Sequence, residues 1–196
     1  MSQQDTRRTR LVVLDRDGVI NRDSTEFVKS PKEWIPLEGS LDAIASLTRS
    51  GFTVAVASNQ SGVGRGLLDR RALHAIHRKM RRCVKQAGGL IDRIVYCPHL
   101  PNVGCHCRKP APGLLERLGR LYQLSLRGVP VVGDSLRDVE AARAVGARPI
   151  LVLTGNGAAT REKICSRHCN IETYENLLAA AEALVSGQAG CGRDEA

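Results

Sequence analysis

The chain has 196 residues, a formal net charge of +9, a 42% hydrophobic and a 25% charged fraction, and only 3% aromatics. That length suits a single domain with a proper core, and so few rings leave no base-stacking platform for a nucleic-acid partner. Residues 11–14 and 149–153 are the longest apolar runs and are too short to cross a bilayer, while the polar stretch 1–10 lacks the apolar centre of a secretory signal; no membrane partner and a cytoplasmic location are expected.

In chain order the sequence reads as a strand at 10–15 and a helix at 40–50, with Leu41, Ile44, Ala45 and Leu47 on one face and Gly51 just beyond. A strand at 53–58 precedes a helix at 70–87, which carries Leu73, Ile76, Met80, Cys83 and Val84 at helical spacing and stops at Gly88-Gly89. Next come a strand at 92–96 and a helix at 112–124 that repeats leucines and has Pro112 in its first turn. A strand at 129–134, a helix at 135–145 stopped by Gly146, a strand at 149–153 and a helix at 174–185 complete the pattern. One domain over 1–185 is predicted, with a Gly-rich, polar tail over 186–196 that is expected to be disordered. The alternation predicts an α/β fold, a Rossmann-like parallel sheet with helices on both faces. Ligands of such sheets lie outside the carboxyl ends of the strands.

The polar residues fall at those ends. The first strand runs into Asp15-Arg16-Asp17-Gly18, the second into Ser58-Asn59-Gln60 and the fourth into Gly133-Asp134-Ser135. Asp15 and Asp17, two residues apart, point to the same side, and Gly18 lets the backbone turn away. Arg108-Lys109-Pro110 precedes the third long helix, and the proline biases Lys109 toward extended geometry. Taken singly these signals are weak: Ser135 and Asp138 also make an ordinary helix-capping pattern. Together they are what phosphoryl transfer requires. Asp15 and Asp134 offer hard oxygens to magnesium, Asp15 is the nucleophile, and Asp17 is placed as general acid and base. Ser58 and Lys109 are positioned for the charge on the phosphoryl oxygens.

Asp15-x-Asp17-Gly18, Ser58, Lys109 and Gly133-Asp134-x-x-x-Asp138 resemble the four motifs of the haloacid dehalogenase superfamily. The resemblance covers about residues 10–155 and implies the same roles, with the main-chain carbonyl of Asp17 as a further magnesium ligand. Beyond the helix at 40–50, only residues 20–37 remain free between Asp15 and Ser58, too few for a cap domain.

Three of the seven cysteines, Cys97, Cys105 and Cys107, lie within eleven residues together with His99. Three thiolates and one imidazole make a closed tetrahedral zinc set, structural rather than catalytic. His106, flanked by cysteines, is left out of the set. Cys165, His168 and Cys169 are read as helix-face residues before a second metal cluster. Cys107 leads directly into Arg108-Lys109, so the metal would fix the backbone that aims Lys109, while Arg108 could fork a second phosphate.

This loop, together with the stretch from Asn59 to Gly66, is similar to the family of D-glycero-D-manno-heptose-1,7-bisphosphate 7-phosphatases. The resemblance implies a sugar bisphosphate substrate from heptose and lipopolysaccharide precursor synthesis, with substrate contacts at Asn59, Gln60, Ser61 and Arg108 and at Asp23, Ser24, Thr25 and Glu26. A histidinol-phosphate phosphatase is the nearest alternative. A zinc-containing nucleic-acid module, suggested by the +9 charge, leaves Asp15, Asp17 and Asp134 without a purpose. In the absence of an obvious apolar stripe, a monomer is expected.

Overall fold

A computed structural model describes residues 10–164 and 171–187. Strand β1 (Arg10–Leu14) turns Val12 and Leu14 to one apolar cluster and Leu11 and Val13 to another, and all four are buried. A strand covered on both faces belongs in the interior of a parallel sheet. It lies there between β2 (Phe52–Asn59) and β4 (Pro130–Gly133). The sheet continues to β3 (Ile91–Cys97) on one side and to β5 (Arg148–Val152) and β6 (Glu172–Tyr174) on the other, in the order β3-β2-β1-β4-β5-β6 with every pair parallel. The order reverses between β1 and β4, which opens a crevice beyond their carboxyl ends.

The α-helices among the described residues are α1 (Ser40–Arg49), α2 (Ser61–Gly64), α3 (Arg70–Gln86), α4 (Gly113–Tyr122), α5 (Leu136–Ala144), α6 (Gly157–Ile164) and α7 (Leu177–Ser186). Ile44 and Leu47 of α1, Leu73, Ile76 and Met80 of α3, and Ala180 and Leu184 of α7 pack on Val12, Leu14, Val54 and Val56. On the opposite face Leu114, Leu115 and Leu118 of α4 and Ala141 and Ala142 of α5 cover Leu11, Val13, Ala55 and Ala57. None of the helices among the described residues is long and apolar enough to cross a membrane.

The last predicted helix begins too early. Thr173 and Tyr174, a β-branched and an aromatic residue suited to strands, pair with Leu151 and Val152. The helix starts only at Leu177, where the Asn176 side chain accepts a hydrogen bond from Ala179 N (3.0 Å) as its N-cap. Helices α2 and α6 were not foreseen. The first has four residues, too few to show a period, and the second buries Gly157, Thr160 and Ile164, of which only one is large and apolar. Ser186, the first residue of the expected tail, ends α7 and Gly187 caps it. The remaining tail residues, and Cys165, His168 and Cys169, lie outside the described residues.

The segment 20–37 forms no lid domain but a loop anchored from below. Trp34 is fully buried and its Nε1 donates to Asn21 Oδ1 (2.9 Å), while Lys79 Nζ of α3 donates to the carbonyls of Pro31 (2.7 Å) and Trp34 (2.8 Å).

Candidate active site

Asp15 follows the last residue of β1, and its N–H donates to Val132 O of β4 (2.9 Å), which seats it over the crevice. Gly18 turns the chain away with φ +77°, and Gly155 does the same beyond β5 with φ +58°. A Cβ on either glycine would fall inside the Asp134 carboxylate, so the two glycines form a cradle for that side chain. Thr154 Oγ1 closes the cradle by donating to Gly18 O (2.6 Å). Asp134 Oδ2 accepts from Asn156 N (2.8 Å) and Nδ2 (3.1 Å).

Lys109 is only 3% exposed. Its ammonium donates to Ala57 O (2.8 Å), lies 3.1 Å from Asp15 Oδ2 and pairs with Asp138 Oδ1. Asp138 Oδ2 in turn accepts from the Ser135 N–H (3.1 Å) and hydroxyl, so the capping pattern of α5 also fixes a site carboxylate. Burial disfavours the Lys109 charge, yet the carboxylates of Asp138 and Asp15 outweigh it and hold the ammonium above its ordinary pKa. The Asn59 amide clamps the Lys109 backbone in both directions: Nδ2 donates to Lys109 O (3.0 Å) and Lys109 N donates to Asn59 Oδ1 (3.1 Å).

Carboxylate oxygens of Asp15, Asp134 and Asp138 lie within 4.8 Å of one another, the donor chemistry of a hard divalent cation. Burial pushes Asp15 up to about 7 against the pull of Lys109, and the other carboxylates add to the rise. Burial likewise pushes Asp134 up to about 6, opposed by the hydrogen bonds from Asn156. A cation at this point relieves both, and the residues present fit one.

The Asp17 carboxylate stands apart from that cluster, which leaves the residue its main-chain carbonyl to offer a cation. Arg16, 1% exposed, grips it through Nη2 (2.8 and 2.9 Å) and Nε (3.1 Å). Asn21 Nδ2 (2.9 Å) and Gln60 Nε2 (2.8 Å) also donate to it. Burial raises the Asp17 pKa, but the Arg16 charge and these donors prevail and hold it below the ordinary value. Gln60 Nε2 also donates to Ser58 Oγ (2.8 Å). The side chains of Asn59 and Gln60, expected to meet substrate, thus each hold a neighbouring site residue.

These groups line one cavity of about 220 Å³. Asp23, Ser24, Ser61 and Arg108 line it too, and Thr25 and Glu26 do not. Sequence reasoning missed Arg137, Asn156, Phe27 and Val28 on its wall, gave Arg16 no role, and placed Asp138 only in a motif and a helix cap. Asn156 lies four residues beyond the end of β5, whereas Asp134 directly follows β4, so the strand-end rule points to its loop but not to the residue. Arg137 and Phe27 carry no such signal. Burial, then the adjacent Arg137 and, more weakly, Arg65 lower the Arg108 pKa, the mark of cations gathered at one rim.

Beside the cavity, the Cys107 thiol lies 3.1 Å from Cys97 Sγ and 3.6 Å from Cys105 Sγ, and His99 Nδ1 stands 3.2 Å from Cys107 Sγ. Tetrahedral zinc with Zn–S bonds of about 2.3 Å implies S–S edges of about 3.8 Å, close to the two 3.6 Å separations and wider than the 3.1 Å one, so the four groups are gathered as such an ion would hold them. His106 turns away to Glu116 of α4 (2.7 Å), in keeping with its omission from the set. Arg108 Nη1 donates to His99 O (3.3 Å), tying the cysteine loop to the cavity rim.

The chain is 57% identical over 151 residues to the D-glycero-β-D-manno-heptose-1,7-bisphosphate 7-phosphatase of Bordetella bronchiseptica, covering 77% of this chain and 84% of that protein. It belongs to the heptose-1,7-bisphosphate 7-phosphatase family. The Pseudomonas putida protein of the same name is 50% identical, with 90% of this chain and 99% of that one covered. A crystal structure of D,D-heptose 1,7-bisphosphate phosphatase from B. bronchiseptica, complexed with magnesium and phosphate, superposes with a TM-score of 0.88 at 51% identity, covering 91% of this chain and 99% of that one. Residues 10–136 match the polynucleotide kinase 3 phosphatase model, and residues 106–177 match the HAD-hydrolase-like model. The haloacid dehalogenase resemblance and the phosphatase class read from the motifs therefore hold.

The raised carboxylates make a pH-dependent prediction. Folded Asp15 holds its proton up to about pH 7, against an ordinary value of 3.8. The metal-free protein therefore binds more protons folded than unfolded across that window, and its stability falls as pH rises through it. A cation binds the ionised carboxylates, so the rise in melting temperature on adding Mg2+ should be larger at pH 8 than at pH 5. An equal rise at both pH values would place the ion elsewhere.

Proposed function

We propose that this chain removes the 7-phosphate from D-glycero-β-D-manno-heptose 1,7-bisphosphate by way of an aspartyl-phosphate on Asp15, with Mg2+ among the carboxylates and Zn2+ in the Cys97–His99–Cys105–Cys107 set. One observation carries the reading. A single cavity of about 220 Å³ is lined both by the Asp15–Lys109–Asp138 cluster and, at its rim, by the guanidinium pair Arg108 and Arg137. The first suits a reacting phosphate and the second suits another anion, as a bisphosphate requires. The β-anomer is supported by the names of the Bordetella and Pseudomonas relatives.

Held by Asp15, Asp134 and the Asp17 carbonyl, magnesium would neutralise phosphate oxygens and keep Asp15 ionised. Asp15 attacks phosphorus in line, and Lys109 and Ser58 donate to the phosphoryl oxygens as charge shifts onto them. The protonated fraction of Asp17, the minor one at neutral pH, gives its proton to the leaving sugar oxygen, and the carboxylate so formed takes a proton from the water that hydrolyses the acyl phosphate. Arg16, Asn21 and Gln60, all donors to its carboxylate, hold the basic form that the second step uses. The open cavity excludes water only when the substrate fills it.

Histidinol phosphate has no second phosphate for the guanidinium pair. Arg108→Ala and Arg137→Ala should each lower kcat/KM for the heptose bisphosphate by roughly ten- to a hundredfold, since a charge-assisted bidentate contact is worth on the order of 1.5–3 kcal/mol. Hydrolysis of p-nitrophenyl phosphate should change far less. Equal losses on both substrates, or faster turnover of histidinol phosphate than of any sugar bisphosphate, would overturn the bisphosphate reading.

For the cysteine set, metal analysis should find one equivalent of zinc per chain. Cys105→Ser/Cys107→Ser should lose it, together with most of the turnover, because Lys109 stands two residues beyond Cys107. A double variant that keeps its zinc and full activity would contradict the assignment.

A further inference from the structure

Among the described residues, ten positions with positive φ carry glycine and two do not: Gln123 (φ 53°) and Phe27 (φ 62°). Gln123 caps the C-terminus of α4, a usual home for a left-handed residue. Phe27 caps nothing. A bulky side chain in this region is a true outlier, and such strain gathers where the surroundings need the side chain in one place.

The surroundings of Phe27 hold its ring in a fixed seat. Its N–H donates to Ser24 O (3.1 Å), closing a turn in the loop between β1 and α1. The ring lies along the backbone of α2, where a Cβ on Gly62 would come within 3.4 Å of Phe27 Cδ1. The Arg65 guanidinium stands over the ring, 5.7 Å from its centroid. The half-buried ring also lines the active-site cavity, where it is the sole aromatic; apart from Val28 the other lining residues are polar or charged.

A phosphate has no use for an apolar ring at this place, but the hydrocarbon face of a sugar does. The C–H groups of a polyhydroxylated ring carry partial positive charge and suit the negative face of an aromatic system. Hydroxyls at the sugar's edge would find polar side chains on the same wall, at Asp23, Ser24 and Ser61. We propose that Phe27 is a specificity-determining residue, the platform on which the C–H face of the substrate's sugar packs while its phosphates reach Asp15 and the Arg108–Arg137 pair. The left-handed backbone aims that platform. The inference rests on the sugar-phosphate reading given above and adds the residue that recognises the sugar body.

The test compares Phe27→Leu and Phe27→Tyr with the wild-type protein on heptose bisphosphate and on acetyl phosphate, which has no sugar. Phe27→Leu should raise KM for the sugar substrate by about tenfold with kcat within about twofold, the scale of one aromatic contact. Its loss on acetyl phosphate should be several-fold smaller, and Phe27→Tyr, which keeps the ring, should stay close to wild type on both. Thermal melts establish that both variants are folded. Equal losses of Phe27→Leu on the two substrates, an unchanged KM for the sugar, or a Phe27→Tyr as impaired as Phe27→Leu would overturn the proposal. If the wild type prefers a different sugar phosphate, the heptose reading fails, and the same contrast on that preferred sugar still decides the role of Phe27. A wild type with no preference for any sugar phosphate over acetyl phosphate would overturn both.

Discussion

Carboxylate oxygens of Asp15, Asp134 and Asp138 meet within 4.8 Å over the crevice between β1 and β4, and like charges that close in a buried setting need cations. The buried ammonium of Lys109 supplies one from inside the chain, between Asp15 and Asp138. The surrounding architecture serves to keep that ammonium in place. Asn59 fixes its backbone, Ala57 O accepts from it, and Ser135 orients the Asp138 carboxylate it pairs with. The cysteine loop enters the same segment two residues upstream, so a metal there would set the approach of Lys109 without joining the chemistry.

Crowding of charge also explains where the chain gives up stability. Gly18 and Gly155 stand in left-handed conformations, and at both a Cβ would displace Asp134. Arg16, a cation almost wholly removed from water, lies against Asp17, and its Nη1 meets no hydrogen-bond partner among the described residues. Such arrangements lower the stability of the fold and are held by the neighbours that surround them. Sites of this kind are where local rules are expected to be broken in favour of function.

Much of this was legible in the residues, and what was not has physical reasons. The interior strands announced themselves because burial on both faces makes them continuous apolar runs, and the strand-end rule then selected Asp15, Ser58 and Asp134. The short edge strand at Glu172–Tyr174 has no such run, and the helix expected at 174–185 overlaps it only at Tyr174. Partners were the harder part. Asn59 and Gln60, expected to meet substrate, line the cavity, and their amides are also engaged with Lys109 and with Asp17 and Ser58. Those pairings join residues up to 50 positions apart, and no local pattern encodes them. Arg137 sits inside a helix whose exposed face is otherwise unremarked, and Phe27 occupies a conformation that sequence statistics assign to glycine; both become visible only when the loops are seen around one cavity.

The account turns on Asp15 carrying the phosphoryl group. Rapid quenching of the Mg2+-loaded wild-type protein during turnover, followed by borohydride reduction and peptide mass spectrometry, reads this directly, because reduction converts an aspartyl-phosphate to homoserine. Homoserine at position 15 and nowhere else is the predicted result. Homoserine at Asp17 or Asp134, or none at all while turnover proceeds, would contradict it.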